Sequence, residues 1–122
     1  MDVKLVDSEL KVMEVIWANG AMSAKKIAQA LNQSIGWNKN TTYTIIKRCM
    51  EKNAIQRVEP DFICRPLVGK EEVQEYEVDT LVNKLFAGSA DALFASLVGR
   101  KKLSYDVVEN LKNIIEEAKA NP

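Results

Sequence analysis

Histidine is missing from all 122 residues. That removes the commonest metal ligand and the side chain best suited to proton transfer near neutral pH. The two cysteines, Cys49 and Cys64, form no Cys-x-x-Cys pair and read as free buried thiols in a reducing compartment. A regulatory disulfide or thiol sensor is the alternative. There is no Gly-rich phosphate loop, no Gly-x-Ser-x-Gly and no metal-ligand spacing, so an enzyme is not expected, nor a cofactor or a metal. Adjacent carboxylates such as Glu71/Glu72 and Glu116/Glu117 read as solvated helix faces. No apolar run approaches the roughly 20 residues that a membrane span needs, and the N-terminus lacks a signal-peptide core. A cytoplasmic protein without membrane insertion is the expectation.

A net charge is also lacking, with 17 basic and 17 acidic side chains. The balance conceals an asymmetry. Residues 1–68 carry ten basic and seven acidic side chains, and residues 69–122 carry seven and ten. Between Ala18 and Val58 stand Lys25, Lys26, Lys39, Lys47, Arg48, Lys52 and Arg57, against the single acid Glu51. So local an excess suits a polyanion, while the acidic half serves another purpose. Apolar content of 47% fits a folded domain, or two small ones.

Three helices are expected first. Leu10, Met13, Ile16 and Trp17 mark one face, widened by Val12 and Val15; Asp7 can cap its start, with Glu9 complementing the dipole. Asn19-Gly20 ends it. Ser23 caps a second helix with the stripe Ala24, Ile27, Ala28 and Leu31, and Asn32 through Gly36 form a loop. Asn38 caps the third, where Ile45, Ile46, Cys49 and Met50 face inward and Thr42 packs in phase with them. Trp37 anchors its start.

A hairpin follows, with strands Ile55–Glu59 and Phe62–Leu67 around the turn Pro60-Asp61; Pro66 ends the second. A helix followed by strand-turn-strand is the winged form of the helix-turn-helix. From Gly69 the chain turns acidic and helical. Val73, Tyr76, Thr80 and Leu81 lead a helix to Phe86, stopped by Gly88. Ala90, Leu93, Phe94, Leu97 and Val98 form a second stripe, ended by Gly99. Ser104 caps the last helix, Leu103 staples onto Val108, and the inner positions are Val107, Val108, Leu111, Ile114, Ile115 and Ala118. The fold class is mainly α (α+β): a winged helix over 1–69 and a helical domain over 70–122. About 50 residues cannot hide so much apolar surface alone, so a second copy is expected to cover it. The dimerisation set is Val73, Tyr76, Leu81, Leu93, Phe94, Leu97, Leu111, Ile114 and Ile115.

The segments DSELKVMEVIW, WNKNTTYTIIKRCMEKNAI, RVE with ICRPLV, and NKLFAGSADALFASL carry a resemblance over nearly the whole chain. It resembles the penicillinase-repressor family of bacterial regulators. The resemblance implies a homodimeric repressor that sits on a palindromic DNA operator and blocks transcription. In the family's β-lactam branch, release follows a cut in the dimerisation domain, in a pathway started by a membrane sensor protease. Three departures stand out. The cut bond there is Asn-Phe, whereas the candidate inactivation position here is Ser96-Leu97. The copper branch carries a C-terminal cysteine cluster, and this chain ends EEAKANP. The wing tip Glu59-Pro60-Asp61 is short and acidic; acids repel phosphates, so little affinity is expected from it.

In this geometry the third helix enters the major groove of double-stranded DNA. Asn40, Thr41, Tyr43 and Thr44 are the candidate base readers. Lys39, Lys47 and Arg48 are placed on phosphates, together with Ser23, Lys25 and the start of the second helix; the capping Asn38 completes the DNA-binding set. Two other readings remain open at this point: a winged-helix protein-interaction module without DNA binding, and a regulator gated by a small ligand.

Overall fold

The computed structural model describes residues 3–121. Its elements run α1 (Asp7–Asn19), β1 (Met22–Ser23), α2 (Ala24–Ile35), α3 (Lys39–Glu51), β2 (Ile55–Val58), β3 (Ile63–Pro66), α4 (Lys70–Phe86), α5 (Ala90–Gly99) and α6 (Tyr105–Ala120). Two compact units divide the chain, the first ending at Val78 and the second starting at Asp79.

The core of the first unit follows from helical periodicity. Val12, Met13 and Ile16 of α1, Ala24, Ile27 and Leu31 of α2, and Ile45, Ile46 and Cys49 of α3 close on one another. Thr42 is fully buried with them. Ser23 caps α2 by accepting from the Lys26 N–H at 3.2 Å, and Asn38 caps α3 by accepting from the Thr41 N–H at 2.8 Å. Gly36 ends α2 in the left-handed conformation that a residue without a Cβ adopts freely. Trp37 packs against the core. Trp17 donates its indole N–H to the Val68 carbonyl at 3.0 Å, tying the end of the hairpin to α1.

Four details differ from the sequence reading. The sheet has three strands in the order β1-β3-β2, because Met22 and Ser23 pair antiparallel with Cys64 and Ile63. Next, α2 runs through Asn32 to Ile35 rather than opening into a loop. The cap position of α1 is Val6, not Asp7. Lastly, Glu9 keeps its expected place in the first turn of α1 but is 1% exposed, a burial its sequence position does not announce. Its carboxylate accepts from the Val6 N–H at 2.9 Å and pairs with Lys52 Nζ at 2.6 Å. That Lys52 ammonium also donates to the Lys4 carbonyl, fastening the end of α3 to the chain before α1.

The second unit is built differently. Ser89 caps α5 and Ser104 caps α6, each accepting from a backbone N–H three residues on. Neither helix contains a buried residue. Among the described residues, no single helix is long and apolar enough to cross a membrane.

Candidate nucleic-acid interface

Helix α3 divides sharply around its axis. Thr42, Ile45, Ile46 and Cys49 are buried and fall within roughly 100° of its circumference. Lys39, Asn40, Thr41, Thr44, Lys47 and Arg48 are exposed on the remainder, and Tyr43 is partly buried at the edge. One surface of this helix therefore gathers all seven residues expected from it. The Oδ1 of Asn38 is committed to the cap, so this oxygen serves α3 before any ligand.

Ser23 and Lys25 stand at the start of α2, where the helix dipole favours an anion, although the Ala24 and Lys26 N–H groups already donate to the Phe62 carbonyl and Ser23 Oγ. A depression beside α3 is lined by Lys25, Ala28, Gln29, Asn32 and Lys39. Lys26 lies near it and, with Lys25, lines a second hollow that reaches Asp61 and Ile63. Among the described residues, the ion pairs are Lys52–Glu9, Arg57–Glu59, Lys112–Glu109 and Lys119–Glu116. Lys25, Lys26, Lys39, Lys47 and Arg48 take part in none of them. These five cations, on the exposed arc of α3 and at the start of α2, thus keep their charge available to an anion.

The thiols lie behind this surface. Cys49 and Cys64 are free and buried. Burial pushes the Cys49 thiol up to about 12, with the Glu9 carboxylate adding to the effect. Burial likewise lifts Cys64 to about 11, opposed by nearby Arg57. Neither supplies an accessible thiolate near neutral pH.

The residues expected in a dimer contact are distributed unevenly. Val73 is 5% exposed and belongs to the core of the first unit. Tyr76, Leu93, Leu97 and Leu111 are partly buried, while Leu81, Phe94, Ile114 and Ile115 are exposed. A groove of about 510 Å³ runs between Phe94 and Val98 of α5 and Val108, Leu111, Ile114 and Ile115 of α6. Ser96 and Leu97 lie inside α5 and are partly buried, so a protease would reach that bond only after local opening of the helix.

The sequence profile described as Penicillinase repressor matches residues 5–117. The chain belongs to the penicillinase repressor family. Its relatives include the penicillinase repressor of Bacillus licheniformis, 23% identical over 95% of this chain and 92% of that protein. The methicillin resistance regulatory protein MecI of Mammaliicoccus sciuri is 27% identical over 93% of this chain and 94% of its own length. The fold also matches the solution structure of the DNA-binding domain of the repressor BlaI, with a TM-score of 0.54 at 23% identity, covering 59% of this chain and 90% of that one. A second match, with a TM-score of 0.53, is monomeric B. licheniformis BlaI in complex with the blaP half-operator. Gln29 and Asn32, which line the depression with Lys25 and Lys39, were not among the expected contact residues, and Lys26 was read only as part of the local cationic excess. Lys25, Gln29 and Asn32 share one helical face by their i, i+4, i+7 spacing, a signal legible beforehand.

Proposed function

We propose that the chain is a transcriptional repressor that binds double-stranded DNA as a homodimer on a palindromic operator. The observation that carries this reading is the set of five unpaired cations around the exposed face of α3 and the start of α2. On this reading Lys25, Lys39, Lys47 and Arg48 neutralise phosphates, while Asn40, Thr41 and Thr44 meet base edges in the major groove. An Asn suits adenine, and a threonine methyl suits the thymine methyl. That the B. licheniformis relative is described on a half-operator supports the assignment.

Magnitudes make the second copy a component of recognition. A good bidentate base contact discriminates by about 1–3 kcal/mol. Two or three contacts give about 2–9 kcal/mol per half-site, so one subunit enters the ~4–10 kcal/mol gap of specific DNA binding only with near-ideal contacts, whereas two subunits reach it with ordinary ones. The exposed apolar side chains of α5 and α6 are the surface through which the copies pair. Release through a membrane sensor-protease pathway would act on the same unit, because a cut at Ser96-Leu97 severs the helix that lines the groove. Such a repressor works in the cytoplasm.

The test is a duplex titration at 50 and 200 mM salt. A DNA-binding protein weakens steeply with salt, whereas a protein-interaction module ignores the duplex at both concentrations. Lys47→Glu with Arg48→Glu abolishes affinity in this account while leaving the dimer intact. Retained affinity would remove α3 from the interface.

A further inference from the structure

Five side chains make a continuous line from α3 to the wing. Lys39 Nζ lies 5.6 Å from the Tyr43 ring centroid. The Tyr43 ring meets Phe62 edge to face, with centroids 5.8 Å apart and planes at 81°. The Arg57 guanidinium sits 3.7 Å from the Phe62 centroid. Glu59 closes the line at the wing: one carboxylate oxygen accepts from Arg57 Nε, and the other lies 3.5 Å from the Phe62 N–H. Phe62 takes φ = 50°, a conformation that a bulky side chain rarely adopts. Ile55 and Arg57 share one face of β2, and Ile55 is buried in the core that α3 completes.

The acids of the wing tip are therefore not equivalent. Glu59 is committed to Arg57 through a single nitrogen, and among the described residues the two terminal guanidinium nitrogens donate to no protein acceptor. The Arg57 side chain remains 49% exposed. A guanidinium stacked on a ring, with its Nε satisfied, presents a planar fork whose geometry matches a phosphate. Stacking also removes much of the rotamer freedom that a solvated arginine would lose on binding.

We propose that Arg57 is a phosphate-binding residue of the wing. Phe62 and Glu59 hold its fork beside the recognition helix, and the Tyr43–Phe62 contact joins the two elements. This rests on the reading of the chain as a DNA-binding protein. Glu59 and Phe62 are positioning residues. Tyr43 shares that role, because its ring is engaged before DNA arrives.

The experiment uses the full chain and a random-sequence duplex of about 30 base pairs, with affinity followed across salt concentration. Arg57→Gln lowers the salt slope by about one per bound subunit and weakens binding on the order of tenfold per subunit at 0.1 M salt. Phe62→Leu keeps an apolar side chain but removes the platform. It weakens binding in the same direction, and the double variant is no weaker than Arg57→Gln alone. Glu59→Gln still accepts from Nε and leaves the slope unchanged. A slope that instead rises by about one per subunit would mean that Glu59 masks Arg57, and the proposal fails. It fails equally if Arg57→Gln, with an unaltered melting temperature, changes neither slope nor affinity while Lys47→Glu with Arg48→Glu still abolishes binding. In that case DNA binding through α3 stands. If the unmodified chain ignores the duplex at every salt concentration, the reading and the proposal fall together.

Discussion

In the first unit Val12, Met13, Ile16, Ile27 and Ile46 are closed from solvent, whereas α5 and α6 of the second contain no buried residue. Both units have apolar stripes at helical spacing. The difference lies in what meets the stripe. Three helices and a small sheet enclose a core in the first unit; in the second, Phe94, Val98, Ile114 and Ile115 are each about half exposed. Burying such side chains stabilises by roughly 1.5–3 kcal/mol apiece, so an uncovered set is a strong drive to associate. One unit is thus complete within a single chain, and on the proposed reading the other acquires its interior from a second copy.

The largest effect expected is on that second unit. Phe94→Asp with Ile114→Asp places two charges in the groove, and sedimentation should then report monomers. DNA affinity should fall at least about a hundredfold although no contact residue has changed, because one half-site supplies only a fraction of the specific binding free energy. The first unit should keep its fold.

Alkaline pH probes the opposite side of the comparison, because both thiols lie in the first unit. Their ordinary value is 9.0, and burial raises Cys49 to about 12 and Cys64 to about 11. Above pH 9 the unfolded chain loses these protons while the folded chain keeps them, so stability is full below pH 9 and declines as pH rises toward 11–12. By about pH 10 the loss is about 1 kcal/mol for each thiol, measurable by urea unfolding. Cys49→Ala with Cys64→Ala should flatten this dependence.

A comparable loss follows from Lys52→Met, which strands the buried Glu9 carboxylate without its ammonium. About 2 kcal/mol is expected, below the value for a fully buried pair because the Lys52 side chain is 37% exposed. Thermal unfolding checks it, and Glu9→Gln added to Lys52→Met should recover some of the loss. The smallest effect has the opposite sign. Thr42 Oγ1 is buried with no hydrogen-bond partner, so Thr42→Val should stabilise the first unit by about 1 kcal/mol.

Much of the first unit was legible in its sequence because its determinants are local. The caps Ser23 and Asn38, the stripe of α2 and the inward phase of Thr42 each follow from neighbours within one or two turns. What escaped depends on distant partners. Strand β1 is two residues long and exists only because β3, about forty residues later in the chain, offers it an edge. Glu9 looks like an ordinary first-turn acid until the end of α3 brings Lys52 to it. Val73 carries the same apolar signal whether it serves a core or a contact between copies, and only its burial in the first unit separates the two. On the candidate interface, the exposed arc of α3 was readable from its period. The Arg57–Phe62–Tyr43 line was not, because it requires the hairpin to fold back over the helix.

The most direct test of the account is sedimentation equilibrium of the full chain, alone and with a 30-base-pair duplex, at micromolar protein and 50 mM salt. The account predicts a protein species of twice the 13.7 kDa chain mass and a complex containing two chains per duplex. A monomer that leaves the duplex unbound would contradict it.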